Sequence, residues 1–149
     1  MRLHAVPIEY IDVENFLRYG EAVELRRPDP GRAQRGEDEY RTFARVPSNG
    51  WKIALHCVRA RWTDCLYSFD GQRLLSPQAG VLLLCAAPPD RPQNVQLFVL
   101  DRPVTLNAGV PHALLTLSAE SWVQVSEDFE SQSQAHKLRK TLLPAGTWD

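Results

Sequence analysis

The chain has 149 residues, 44% of them hydrophobic and 23% charged, which suits one globular domain, residues 1–149, with a sizeable core. Its 17 basic residues nearly balance its 18 acidic ones. Such a balance argues against nucleic-acid partners and against an anionic membrane surface.

The N-terminal stretch "MRLHAVPIEYIDVENF" carries acids early and lacks an apolar run, so no signal peptide is expected. "RLHAVPIEY" predicts a short strand and "DVENFLRYG" one or two helical turns, with Asp12 as N-cap and Gly20 as the stop. Phe16 and Tyr19 share the face toward the core, and "EAVEL" alternates like an edge strand. Residues 26–39, rich in Arg, Pro, Gly and acid, predict a loop. That loop either lies over a site or is a solvated insertion, and the acid-rich "GEDEYR" reads first as a solvated face, with closure of Glu39 and Tyr40 over a pocket as the alternative.

From residue 40 onward the text reads as strands separated by Gly/Pro turns. "YRTFARV", "WKIALHCVRARW", "DCLYSFDG", "NVQLFVLD", "VTLNAG", "HALLTLS" and "SWVQVSED" are strand-like, and "GVLLLCAA" reads as a strand buried on both faces. Regular short strands of this kind predict a closed barrel or a sandwich. The tail "ESQSQAHKLRKTL" has helix-forming composition and ends at Pro144, which predicts a C-terminal helix. No internal repeats occur, and the longest apolar run is too short to span a bilayer.

Cys57, Cys65 and Cys85 are odd in number and form no C-x-x-C pair, so they read as core residues of a reduced, cytoplasmic protein. Trp51, Trp62 and Trp122 read as packing residues. His4, His56, His112 and His136 are scattered one per segment, with no His-x-His pair. No metal and no other cofactor is therefore expected, although His56 and His112 with one carboxylate could meet in space as a facial triad.

His112 follows a Gly-Val-Pro turn and opens a strand. It either points into the barrel mouth as an acid or base, or caps its turn. His56 shares the parity of Ala54 and Val58 and faces either the lumen or the outer surface. Arg59, Arg61 and Arg73 lie on or beside the central strands, where an inward arginine grips a carboxylate with two parallel donors. Gln78 and Gln124 offer amide contacts to a small ligand, against the plainer reading that they face solvent.

Several motifs occur in one order: Phe16-x-x-Tyr19-Gly20, then "SPQAGVLLL", "QLFVLD", a Gly-x-x-His turn at 109–112 and "VQVSEDFES". Together they resemble the ureidoglycolate lyase (ureidoglycolate hydrolase) family of the cupin superfamily over roughly residues 3–131, most weakly across 26–50. The resemblance implies an all-β, cupin-type barrel, often a homodimer, that splits ureidoglycolate into glyoxylate and urea. That elimination needs a base for the hydroxyl proton, an acid for the departing nitrogen and a cation for the carboxylate. His112 matches a family histidine and Gln78 a kept glutamine. Arg73 and Gly71 stand where the family has a histidine and an acid, and Pro111 and Leu106 stand at two further histidine positions. The implied assignment makes His112 and His56 catalytic, with Arg73, Gln78, Arg59 and Gln124 binding a small-molecule acid. A non-catalytic small-molecule binder and a structural barrel with a filled lumen are the alternatives.

Overall fold

The structure is a computed structural model that describes residues 2–24, 30–38, 40, 42–43 and 50–146. Its elements in chain order are β1 Leu3–Val6, β2 Ile8–Tyr10, α1 Val13–Phe16, β3 Gly20–Ala22, α2 Pro30–Gln34, β4 Trp51–Val58 and β5 Thr63–Phe69. There follow β6 Arg73–Ala79, β7 Leu82–Ala86, β8 Gln96–Leu100, β9 Val104–Leu106, β10 His112–Thr116, β11 Ser121–Asp128 and β12 Ser133–Pro144. A 7-stranded sheet runs β1-β12-β5-β10-β7-β8-β2, and a 5-stranded sheet runs β3-β9-β6-β11-β4. Together they form a nearly closed β-barrel, the all-β architecture expected from the spacing of the strands.

Strand parity sorts the side chains. On β7, Leu82, Leu84 and Ala86 enter the lumen cluster, while Leu83 and Cys85 enter a second cluster behind the larger sheet. The strand is fully buried because each parity has a core of its own, and each buried leucine contributes about 1.5–3 kcal/mol. Helix α1 packs one part of the lumen. The Asp12 carboxylate accepts from the backbone N–H groups of Glu14 (2.9 Å) and Asn15 (2.8 Å), and the Asn15 side chain accepts from Asp12 N–H (2.9 Å). This reciprocal cap aims Phe16 inward, where its ring meets Phe98 edge-on at 5.4 Å and Tyr19 at 5.8 Å.

The tail is a strand and not the expected helix. Residues Ser133–Lys137 pair antiparallel with β5, and Thr141–Pro144 pair parallel with β1. Leu138 and Leu142 are four apart, a spacing that fits a helix face but also one parity of a strand. Both reach the second cluster, and tertiary pairing overrides local propensity. The 26–39 loop contains the short helix α2, and residues 25–29 and Glu39 lie outside the described set. Tyr40 is exposed and closes over neither large cavity, and the expected strand 40–46 falls mostly outside the described residues. Trp51, Trp62 and Trp122 are surface residues rather than core. Of the cysteines, Cys85 is buried and Cys57 and Cys65 are half-buried.

Gly20 starts β3 instead of stopping α1. A Cβ built there would lie 1.6 Å from the Thr105 carbonyl oxygen of the paired strand. Only glycine lets β3 approach β9 this closely. Gly20→Ala should therefore part the two strands and cost about 1–3 kcal/mol, read as a lower urea midpoint.

Candidate functional site

Sheet pairing fixes which residues face the lumen. Glu127 pairs with Arg73 on β6 and with Lys52 on β4, and Val125 pairs with Leu75 and Ala54. Leu75 and Val125 belong to the lumen cluster, so Arg73, Glu127 and Lys52 share their inward parity. His56, opposite Val123, is inward as well, which settles the open choice for that residue. From the other sheet, His112 pairs with Tyr67 and Ala86.

Of these, His56, Tyr67, Arg73 and His112 meet at a cavity of about 470 Å³, which Phe69 and Leu114 also line. Arg73 is its centre. The guanidinium lies 4.1 Å over the Phe69 ring, and its Nη1 is 2.7 Å from His112 Nε2. Its Nε is 2.7 Å from Glu127 Oε2, and both side chains are nearly buried, at 13% and 10% exposed. The two atoms attract as charges, but the N–H does not point along their line, so neither has a directional hydrogen bond. Burial pulls the Arg73 pKa down and the Glu127 carboxylate opposes that pull. Lys52 approaches Glu127 at 3.5 Å from the solvent side. Arg73 and Glu127 also border a second cavity of about 480 Å³, walled by Val23, Phe43, Trp51 and Leu74.

The protonation of His112 follows from its neighbours. Arginine has donors only, so Nε2 must accept from Arg73. Nδ1 then carries the proton and donates to the Val110 carbonyl oxygen at 2.9 Å. One nitrogen thus caps the turn, and the other faces the lumen bonded to Arg73. The ring is 4% exposed. Burial, aided by the Arg73 charge and opposed by the Val110 bond, lowers its pKa to about 4. The turn itself depends on Gly109, whose φ is +81°.

His56 is different. It is accessible at the cavity mouth, and partial burial followed by the Arg73 charge lowers its pKa. Arg59 sits at the rim, bound to Glu120 at 3.0 Å. Arg61 is exposed and donates to the Leu117 and Ser118 carbonyls. Gln78 and Gln124 lie away from the cavity. Gln78 is exposed and bonded to its own strand at Ser76, and Gln124 shares the outward parity of Leu55 and Ser76. Glu127, Lys52, Tyr67 and Phe69 were not singled out in the sequence. The pairing of "SWVQVSED" with β6 is what brings Glu127 to Arg73. Among the described residues no three His, Cys, Asp or Glu side chains converge as metal ligands. The facial-triad idea meets a positive obstacle, since the Arg73 cation occupies the free nitrogen of His112.

The fold and site thus define an all-β barrel with the Arg73 cation held at an open, largely apolar mouth. No family model matches the chain, and no curated protein does. Among solved structures it is similar to vicilin from Solanum melongena, with 16% identity and a TM-score of 0.46 over 58% of this chain and 24% of that chain. Vicilin from Solanum lycopersicum is 18% identical, with a TM-score of 0.46 over 58% of this chain and 26% of that chain. Vicilin from Corylus avellana is 13% identical, with a TM-score of 0.45 over the same shares. Vicilins are cupin-fold proteins. The matched part spans about a quarter of those vicilins' length, and a likeness this distant says nothing about the site. Among the described residues no helix is long and apolar enough to cross a membrane.

The His112 environment has a measurable consequence. Its folded pKa of about 4 lies below the ordinary 6.5, so the unfolded chain binds the proton first as pH falls. The stability associated with neutral His112 is complete above pH 6.5 and is lost as pH falls toward 4, by up to about 3 kcal/mol. Urea unfolding between pH 7 and 4, alongside NMR titration of the His112 ring, checks both the window and its size.

Proposed function

We propose that the barrel mouth binds a small organic acid whose carboxylate docks on Arg73. The observation that carries this reading is the guanidinium itself, nearly buried yet bordering a cavity of about 470 Å³. Glu127 and His112 engage Nε and Nη1, and the remaining donors are suited to a planar carboxylate. The Phe69 ring behind the guanidinium fixes its plane.

A ureido hydroxy acid such as ureidoglycolate matches the chemistry of the lining. With its carboxylate on Arg73, its hydroxyl proton would pass to His56, which burial and the Arg73 charge favour in its neutral, basic form. The carbonyl forms as the carbon–nitrogen bond breaks, and the departing nitrogen takes a proton from the Tyr67 hydroxyl, which lines the same cavity. Urea and glyoxylate result, with no external oxidant or reductant. His112 takes no proton in this scheme and acts as the neutral acceptor that holds Arg73.

One observation favours a second reading, a binder without turnover. Both nitrogens of His112, the residue matching a family histidine, are engaged, so it cannot shuttle a proton without releasing Arg73 or its turn.

Calorimetric titration with ureidoglycolate, glyoxylate and simple hydroxy acids, run beside an assay of urea release, separates the two readings. Arg73→Gln combined with Glu127→Gln replaces the ion pair by a neutral pair and should weaken binding about 10- to 100-fold. His56→Gln should leave binding intact and lower turnover about 100-fold or more if the lyase reading holds. Binding that survives loss of Arg73 would overturn the site, and tight binding with no urea release would establish the binder.

A further inference from the structure

The outward face of the 5-stranded sheet is open over one part and covered over another. Ile53 and Leu55 on β4 are 61% and 65% exposed. Ser126 on β11 pairs with Ile53 and with Leu74 and shares their outward parity, yet it is only 5% exposed. Thr105, opposite Leu74 on β9, is also 5% exposed. Ser126, Leu74 and Thr105 line the cavity of about 480 Å³ that Arg73 and Glu127 border from their strand ends. Small-molecule sites offer spaces of about 300–1,000 Å³.

The polar groups of this cavity are not all engaged by the fold. The Ser126 hydroxyl has no hydrogen-bond partner among the described residues. A buried hydroxyl left in that state costs about 1–3 kcal/mol, and it points to a polar occupant of the space it faces. Asp128 shares the outward parity of Ser126, two residues further along β11. Its Oδ1 accepts from the Glu130 N–H at 2.9 Å, and its second oxygen has no partner among the described residues. Glu127 and Arg73 neutralise each other, and Lys52 also lies against Glu127. Asp128 is thus the uncompensated charge among the described lining residues. Trp51 pairs with Asp128, and Leu74 and Val23 add apolar wall. An indole face beside a carboxylate favours a cation over an anion.

We propose that this cavity is a second ligand site, separate from the barrel mouth, and that it takes a small aromatic amine. The protonated amine donates to Asp128 and to Ser126, which lie on one face of β11. The ring of the ligand covers Leu74 and Val23 and meets the Trp51 indole. An aromatic acid would set its carboxylate against Asp128, so the site discriminates by charge. Because the cavity lies on the outward side of the sheet, its occupation does not depend on an acid being bound in the mouth.

Calorimetric titration of the full chain with phenylethylamine tests this, beside phenylpropionate, which lacks the cation, and butylamine, which lacks the ring. Phenylethylamine should bind about tenfold or more tightly than either. Asp128→Asn keeps the acceptor for Glu130 and should weaken binding about 10- to 100-fold. Trp51→Ala, at a residue 65% exposed, should weaken it without disturbing the fold. Ser126→Ala should weaken binding while leaving the urea midpoint unchanged or raised, because the hydroxyl has no partner in the folded chain to lose. Amide shifts in an isotope-labelled sample should centre on Leu74 and Ser126 and leave His56 and His112 unmoved. No binding of the amine at millimolar concentration would overturn the proposal and leave the cavity to water. So would equal binding of phenylpropionate, undiminished affinity in Asp128→Asn, a lowered urea midpoint in Ser126→Ala, or shifts confined to the mouth.

Discussion

The Arg73–Glu127 ion pair is the constraint around which the mouth of this barrel is arranged. Both side chains belong to an inward parity otherwise occupied by Leu75, Val125 and Val123. Removing two charges from water costs several kcal/mol each, and their attraction returns this only when geometry is good. Here the geometry is incomplete, because the facing Nε and Oε2 lack a directional hydrogen bond. The remainder comes from neighbours: the Phe69 face under the guanidinium, the His112 nitrogen at Nη1, and Lys52 beside the carboxylate. Each of these residues is therefore conditioned by the pair. Burial holds His112 neutral and the Arg73 charge adds to it, while the Arg73 donor at Nε2 fixes Nδ1 as the nitrogen that holds the Val110 carbonyl.

That chain of dependence reaches the backbone. The Val110 carbonyl is presented by a turn that needs the left-handed conformation of Gly109. The Gly109 N–H donates to the Phe69 carbonyl at 2.7 Å, and Phe69 carries the ring beneath Arg73. Turn, histidine, arginine and aromatic ring close a loop of contacts between β5, β6 and β10. The arrangement is preorganised: a ligand entering the cavity would meet a guanidinium whose plane and neighbours are already set. Preorganisation of this kind limits the ordering cost of binding.

How much of this was legible in the sequence depended on whether a feature was local. Strand parity was legible, since alternation on "WKIALHCV" and the doubly buried run of β7 are period-two signals. The Asp12 cap was legible for the same reason, being written within four residues. The lumen side of β4 was not, because alternation defines two faces without saying which is inward. Only pairing with Val123 and Val125 decides it. Glu127 was invisible as a partner of Arg73 because the residues are 54 positions apart and meet through sheet register alone. The tail misled because its composition favours a helix, whereas β5 and β1 supplied strand edges that decided its state. Gly20 misled because a glycine after a helix usually marks its end, whereas here it marks a close approach of two strands.

The polar layer argues that the mouth does more than close the barrel. One inward step changes Leu75 to Arg73 on β6, Val125 to Glu127 on β11 and Leu114 to His112 on β10. On the apolar side of that boundary the lumen is filled, with Phe16, Tyr19 and Phe98 in mutual contact. Continuing the same pattern with leucine and valine would have filled the mouth as well. Replacing a buried ion pair by well-packed apolar residues is often neutral or stabilising. Stability alone therefore gives no reason to place a guanidinium, a carboxylate and an imidazole on three separate strands at one end of the lumen. What that placement does provide is a fixed cation bordering a water-accessible cavity, which an apolar plug could not offer to an anionic ligand.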